Sequence, residues 1–237
     1  MVIALSSAFK TEPELVSWIE RSSLLAKWLE EEKSFVVIEK SKLVKFNNLT
    51  RRRKFLDAYT ASFPCEEPPI SAEFDFIFIP MIYGPQRGND ETSRFFNHPG
   101  EFLPGAAEIK YFRKGVDGKI NLPYYAGLDQ ALAYLKFGFY RIYLWHFFDH
   151  EIPEKTARRY INHVIDLLDH LKLPVPLMYD YYLIKQGDEK TEFDIHKLEQ
   201  GYRSSDPNWV NPYYNEERAA IIRQLILDEM GTSFLQL

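Results

Sequence analysis

At 237 residues, with 46% hydrophobic content and 34 acidic against 29 basic side chains for a net charge of −5, the chain is long enough to bury a sizeable core. It is also too acidic to be held on nucleic acid by bulk charge, because nonspecific affinity rests on Lys and Arg neutralising phosphates. A single cysteine, Cys65, cannot form an internal disulfide, which fits a reducing cytoplasm and excludes a zinc site built on several thiolates.

Thr11-Glu12-Pro13-Glu14 has capping-box spacing and opens a helix whose apolar stripe is Leu15, Trp18, Ile19, Leu25, Trp28 and Leu29. Ahead of it, Met1 to Phe9 is apolar without a basic flank, too brief for a secretory signal or a membrane span, so no membrane partner is expected. Phe35 to Ile38 and Leu43 to Phe46 read as a hairpin turning at Lys40-Ser41-Lys42. Arg51-Arg52-Arg53-Lys54 then opens a helix running through Phe55, Leu56 and Tyr59 and ending before Pro64. The basic run is a candidate nucleic-acid contact; it reads equally well as a solvated helix face.

Glu73 to Ile79 and Ala106 to Phe112 read as strands, separated by a polar stretch carrying Arg87, Arg94 and His98. Those three are candidate phosphate contacts, since a run of about twenty residues without periodicity inside a domain is usually functional or mobile; each taken alone reads first as a plain surface excursion. Tyr124 to Tyr134 is helical, and Phe139 to Phe148 is a very apolar strand. Thr156 to Leu171 is an amphipathic helix with Ala157, Tyr160, Ile161, Val164, Leu168 and Leu171 on one side, stopped by Pro174 and Pro176. Leu177 to Ile184 is a further strand, a polar segment follows to Tyr214, and Asn215 caps a last helix ending at Gly231. The whole is expected to be one α/β domain over 1–237, with its core at about 70–150, a helix and hairpin at 11–63 before it, and a helical extension at 151–237 after it.

Side chains alternate across a strand, so Glu108 and Lys110 share one face, as do Glu73 and Asp75. Carboxylates and a lysine on adjacent strands are what a divalent-metal hydrolase of phosphodiesters needs: oxygens for a hard cation, and an ammonium for the attacking water or the phosphate. The tripeptide alone carries little, since Glu31-x-Lys33 and Asp188-x-Lys190 also occur, in polar surroundings. Only Glu108-x-Lys110 has an apolar alternating frame, an acidic strand before it and a helix after it.

Asp75, then Glu108-Ile109-Lys110, then Gln130-x-x-x-Tyr134 resembles the signature of the PD-(D/E)xK nuclease superfamily, in its RecB-like branch, over roughly residues 73–149. The resemblance implies a restriction-endonuclease-like mixed sheet flanked by helices and a Mg2+- or Mn2+-dependent nuclease acting on DNA or RNA, with DNA favoured. It implies Asp75 and Glu108 as metal ligands, the Ile109 carbonyl as a further one and Glu73 as a second-rank one. Lys110 would position the water, and Gln130 and Tyr134 would support the site. An acid from an upstream helix often completes such sites, and Glu14 and Glu20 are the candidates. The separation of Asp75 from Glu108 is wider than the family's usual spacing.

Other readings stay open. Glu108 and Lys110 also fit an exposed pair on the wet face of a sheet, and Gln130 and Tyr134 lie opposite the helix stripe of Leu128, Ala131, Leu132 and Leu135, as surface residues would. A noncatalytic nucleic-acid-binding or protein-binding subunit of the same fold is the alternative function, and an unrelated α/β interaction protein is a third. A homodimer or a place in a larger complex is compatible with either. His146, on an apolar strand, reads as a hydrogen-bonded core residue. No glycine-rich phosphate loop or Gly-x-Ser-x-Gly elbow is present, so nucleotide and serine hydrolases have no anchor.

Overall fold

The computed structural model describes residues 7–21, 40–45, 49–64, 74–81, 105–139, 141–187, 193–198, 201–203, 211–214 and 217–218. Helix α1 (Glu12–Arg21) starts with one bond of the capping box, and the reciprocal one reaches a residue further back. Glu14 N–H donates to Thr11 Oγ1 at 3.3 Å, and the Glu14 carboxylate accepts from Lys10 N–H at 2.7 Å.

Then come β1 (Lys40–Lys45), α2 (Leu49–Ser62), β2 (Phe76–Met81), β3 (Gly105–Phe112) and α3 (Leu128–Ala133), which tightens into a 3-10 turn at Tyr134–Phe137. Strand β4 (Arg141–Phe148), helix α4 (Glu154–Leu171), and strands β5 (Leu177–Gln186), β6 (Phe193–Lys197) and β7 (Tyr202–Arg203) complete the described elements. These residues form a seven-stranded mixed sheet ordered β1-β2-β3-β4-β5-β6, with β7 also on β5. β1, β2 and β3 run antiparallel in succession, and β3, β4 and β5 run parallel. The two parallel joins contain α3 and α4, because a parallel return needs a crossover.

Alternation along the central strands sorts the core into two layers. Ala106, Phe112, Ile142, Leu144, Phe148, Tyr179 and Leu183 face α2, α3 and α4. Ala107, Ile109, Tyr143, Trp145, Phe147, Tyr182 and Ile184 face α1, through its Leu15, Val16 and Ile19. β4 is therefore covered on both sides, which is why its sequence is a continuous apolar run rather than an alternating one.

Three expectations change. Lys40-Ser41-Lys42 is not a turn: it is part of β1, paired with Met81, Pro80 and Ile79. Among the described residues β1 ends the sheet, and a strand in that place carries lysines readily, because charge there discourages further pairing. The segment after residue 150 is not only helical: besides α4 and the strand expected at Leu177–Ile184, which is β5, it supplies β6 and β7 to the same sheet. Leu171, placed on the α4 stripe, is 48% exposed in the last turn, while Ala157, Tyr160, Ile161, Val164 and Leu168 are buried. The expected strand at Phe35–Ile38, Leu25, Trp28, Leu29 and most of the last helix lie outside the described residues.

Candidate active site

The register of β2 on β3 stops at Phe76 opposite Ala107, yet β3 continues to Phe112. In an antiparallel pair a residue directs its N–H and C=O to the same neighbour, so Ile109 and Tyr111 turn their backbone groups toward the side β2 has left. Carboxylates take the two donors. Ile109 N–H donates to Asp75 Oδ2 at 2.7 Å, from the bend just before β2, and Tyr111 N–H donates to Glu12 Oε2 at 3.0 Å. A buried backbone donor must find an acceptor, so both side chains are held in place by the strand itself.

Glu108 and Lys110 stand on the helix-covered face of β3, and the Lys110 ammonium lies 2.6 Å from Glu108 Oε1. It also lies 3.4 Å from Glu12 Oε1, although α1 packs on the opposite face. The two meet around the edge of β3, past the end of β2. Glu108 is only 2% exposed, and the Tyr134 hydroxyl, itself buried, donates to its second oxygen. By contrast, Asp117-x-Lys119 shares the tripeptide pattern but lies in a turn, 3.6 Å apart with both partners exposed, where an ion pair is worth little.

Burial and the neighbouring Glu108 charge raise Asp75 well above the ordinary carboxylate range, against the lowering effect of the Ile109 N–H. Burial also raises Glu108, in spite of the Lys110 ammonium and the Tyr134 hydroxyl. Burial alone would lower Lys110, but Glu108, Glu12 and Asp75 outweigh it and carry its pKa above the usual value. Three carboxylates against one ammonium make a site that favours added positive charge.

The floor of the site is the turn before α3. Gly127 has φ +76°, and a Cβ there would lie 2.9 Å from Lys110 Cγ and Cε and 3.1 Å from Glu108 Cγ. Glycine is required on both counts. The turn is pinned from below: the Tyr160 hydroxyl donates to the Pro123 carbonyl at 2.8 Å, and His146 Nε2 donates to the Ala126 carbonyl at 2.9 Å. A carbonyl only accepts, so Nε2 carries the proton and Nδ1 accepts from the Tyr179 hydroxyl at 3.0 Å. Complete burial lowers His146 to about 3, so it is a neutral core residue, as its strand context implied.

Glu12 is brought to the site by the segment before α1. Asp149, fully buried after β4, accepts from Ala8 N–H at 2.8 Å and from the Tyr111 hydroxyl. Ser7 Oγ donates to Glu151 at 3.0 Å.

Asp75, Glu108, Lys110, the Ile109 backbone and Tyr134 thus come together, and Glu12 joins them in place of Glu14. The capping box contains the signal: it commits Glu14 to the backbone ahead of the helix, in the structure to Lys10 N–H, which leaves Glu12 as the acid of that turn able to reach β3. Gly127 was likewise not singled out from the sequence. Gln130 is half-buried on α3, one turn before Tyr134; Arg53 is exposed on α2, which also carries Arg51 and Arg52. Glu73, Arg87, Arg94, His98 and the side chain of Glu20 lie outside the described residues. Among the described residues, no three Asp, Glu, His or Cys side chains are arranged to hold a metal ion as they stand. Comparison of the chain with protein-family models, with curated proteins and with solved structures finds no match.

Proposed function

We propose that the chain is a Mg2+- or Mn2+-dependent hydrolase of phosphodiester bonds in DNA, with RNA as the second substrate class. The observation that carries this reading is the meeting of Asp75, Glu108, Lys110 and Glu12 on the part of β3 that β2 leaves uncovered. The order β2, β3, α3, β4, antiparallel then parallel, is the core order that the PD-(D/E)xK resemblance implies, which supports a restriction-endonuclease-like fold.

The donor set suits a hard dication: all oxygen, partly shielded from water, and short of positive charge. Asp75 and Glu108 would hold the ion, with Glu12 and the Ile109 carbonyl as further ligands; when bound, it would supply charge against the phosphate and a more acidic water. Lys110 would orient that water and steady charge on the phosphate. Tyr134 would fix Glu108 in one rotamer, and the pinned turn at Gly127 would hold the lysine stem on the other side.

The noncatalytic subunit is the second reading, favoured by one observation. Both Glu108 oxygens, one of Asp75 and both of Glu12 are already engaged by the protein. The test is cleavage of single-stranded, duplex and branched DNA and of RNA with Mg2+ or Mn2+. The wild type should cleave at least one and fall silent in EDTA, and Lys110→Ala should be folded and inactive. Arginine should not restore activity, because its planar, always-protonated head does not replace a compact ammonium. A wild type inactive on all four substrates would select the noncatalytic reading.

A further inference from the structure

The turn that forms the floor of the site also displays two aromatic rings to solvent. Tyr124 is 75% exposed and Tyr125 38%, in a protein that buries most of its other described aromatics. Their ring centroids are 6.0 Å apart and tilted at 47°. Tyr125 has φ +59°, one of two positive-φ non-glycine residues among those described. A bulky side chain in that region costs free energy, and such conformations persist where the surroundings over-determine them.

The surroundings here do so. Tyr160 is bonded on both sides of the pair, donating to the Pro123 carbonyl at 2.8 Å and accepting from Ala126 N–H at 3.3 Å. Burial pushes its hydroxyl up to about 12, so the donor persists at neutral pH. His146 holds the Ala126 carbonyl at 2.9 Å, and Leu128 N–H holds the Tyr125 carbonyl at 3.0 Å. Every backbone anchor acts to fix the turn, while the rings it carries are left facing water. A packing role would bury them.

The turn that carries the rings is also the floor of the site. Consecutive Cα atoms are about 3.8 Å apart, so Tyr125 lies within about 8 Å of the Gly127 backbone, and Gly127 sits against Lys110 and Glu108. Exposed Arg113 and Lys119, the latter paired with Asp117 at 3.6 Å, stand on the connection that leads from β3 into this turn. Exposed aromatic rings on the turn that floors a phosphodiester site suit a strand whose bases are unpaired. In a duplex the base faces are covered by their neighbours and are not offered to a side chain.

We propose that Tyr124 is a stacking platform for an unpaired base, held in place by Tyr125, and that the site therefore takes single-stranded nucleic acid in preference to duplex. The inference rests on the nuclease reading for the identity of the ligand, but it is tested by binding and not by turnover.

The experiment is a fluorescence-anisotropy titration of labelled single-stranded (dT)12 and of a 12-base-pair duplex (lengths of about 12, within the usual site sizes), in EDTA to prevent cleavage. The full-length wild type is compared with Tyr124→Ala and Tyr124→Phe. Tyr124→Ala should weaken (dT)12 binding at least about fivefold, the lower end for loss of one stacked base, and Tyr124→Phe should stay near wild type. Duplex binding, weaker at the outset, should not change. The wild-type to Tyr124→Ala ratio should hold constant as salt is raised, although both affinities fall, because stacking releases no counterions. Equal losses on single strand and duplex, an unchanged (dT)12 affinity in Tyr124→Ala, or failure of the wild type to bind (dT)12 would each overturn the proposal. A wild type that binds (dT)12 through Tyr124 but cleaves nothing leaves the platform standing and removes only the nuclease reading.

Discussion

Removing the Tyr134 hydroxyl tests whether Glu108 is an ionised, positioned carboxylate. Tyr134 is 1% exposed and Glu108 2%, so in Tyr134→Phe water cannot readily replace the lost donor. The ring remains packed on Phe74, with centroids 4.7 Å apart, and no cavity opens beyond the missing oxygen. The cost is therefore that of one charge-assisted hydrogen bond, about 1.5–3 kcal/mol. For a chain of this size that corresponds to a fall in Tm of roughly 3–12 °C.

The pH dependence separates this from a general packing defect. Glu108 has a folded-state pKa above its ordinary value, so stability from this group declines as pH rises from the unfolded pKa toward the folded one. The tyrosine bond opposes that rise. Without it the folded pKa moves further up and the decline continues to higher pH, so the difference between wild type and variant should widen from pH 5 to pH 8. Urea unfolding in EDTA at both pH values measures it. Glu108→Gln should shrink the cost of Tyr134→Phe in a double-mutant cycle. A cost under about 0.5 kcal/mol at pH 8, or one that is independent of pH and of Glu108→Gln, would refute the assignment.

Asp75→Asn keeps an oxygen for Ile109 N–H but removes the charge, so calorimetric titration should show Mn2+ binding in the wild type and none in the variant. Because Asp75 is raised above the usual range, wild-type binding should also release protons, seen as a dependence of the heat on buffer ionisation enthalpy. His146 is lowered to about 3, so the neutral ring favours the folded state at neutral pH and that advantage disappears as pH falls below its ordinary value, by about 1.4 kcal/mol per pH unit. The unfolding free energy of His146→Gln should accordingly fall less steeply between pH 6 and pH 4 than that of the wild type; parallel slopes would contradict the burial of a neutral ring.

What could be read from the chain followed the physics of each segment. Glu108 and Lys110 were legible because their strand alternates, and β4 because a strand covered on both faces is apolar throughout. α4 declared itself through a stripe at helical spacing. Lys40-Ser41-Lys42 was misread because a run of polar residues within a strand imitates a turn. β6 was missed because Phe193-Asp194-Ile195-His196-Lys197 buries one side chain, Ile195, and so carries almost no hydrophobic signal. Tyr134 looked like a surface residue on a helical wheel, since it lies away from the leucine stripe. It is buried because Phe74 and Glu108 cover that second side. Glu12 matters only because β2 stops at Phe76, and where one strand stops against another is a property of pairing, not of any local run of residues.

The length of β3 that β2 leaves unpaired has a consequence for self-association. Two outward N–H groups on a strand are an invitation to another chain to continue the sheet, and charged side chains aimed at such a place are a common deterrent. Asp75 and Glu12 occupy those donors with their carboxyl oxygens, so the acids proposed as ligands would also guard the molecule against recruiting a copy of itself. Alanine at both positions would leave the donors bare and the guard removed together. Amides, which can still accept the two N–H bonds, are the substitutions that separate loss of activity from loss of solubility.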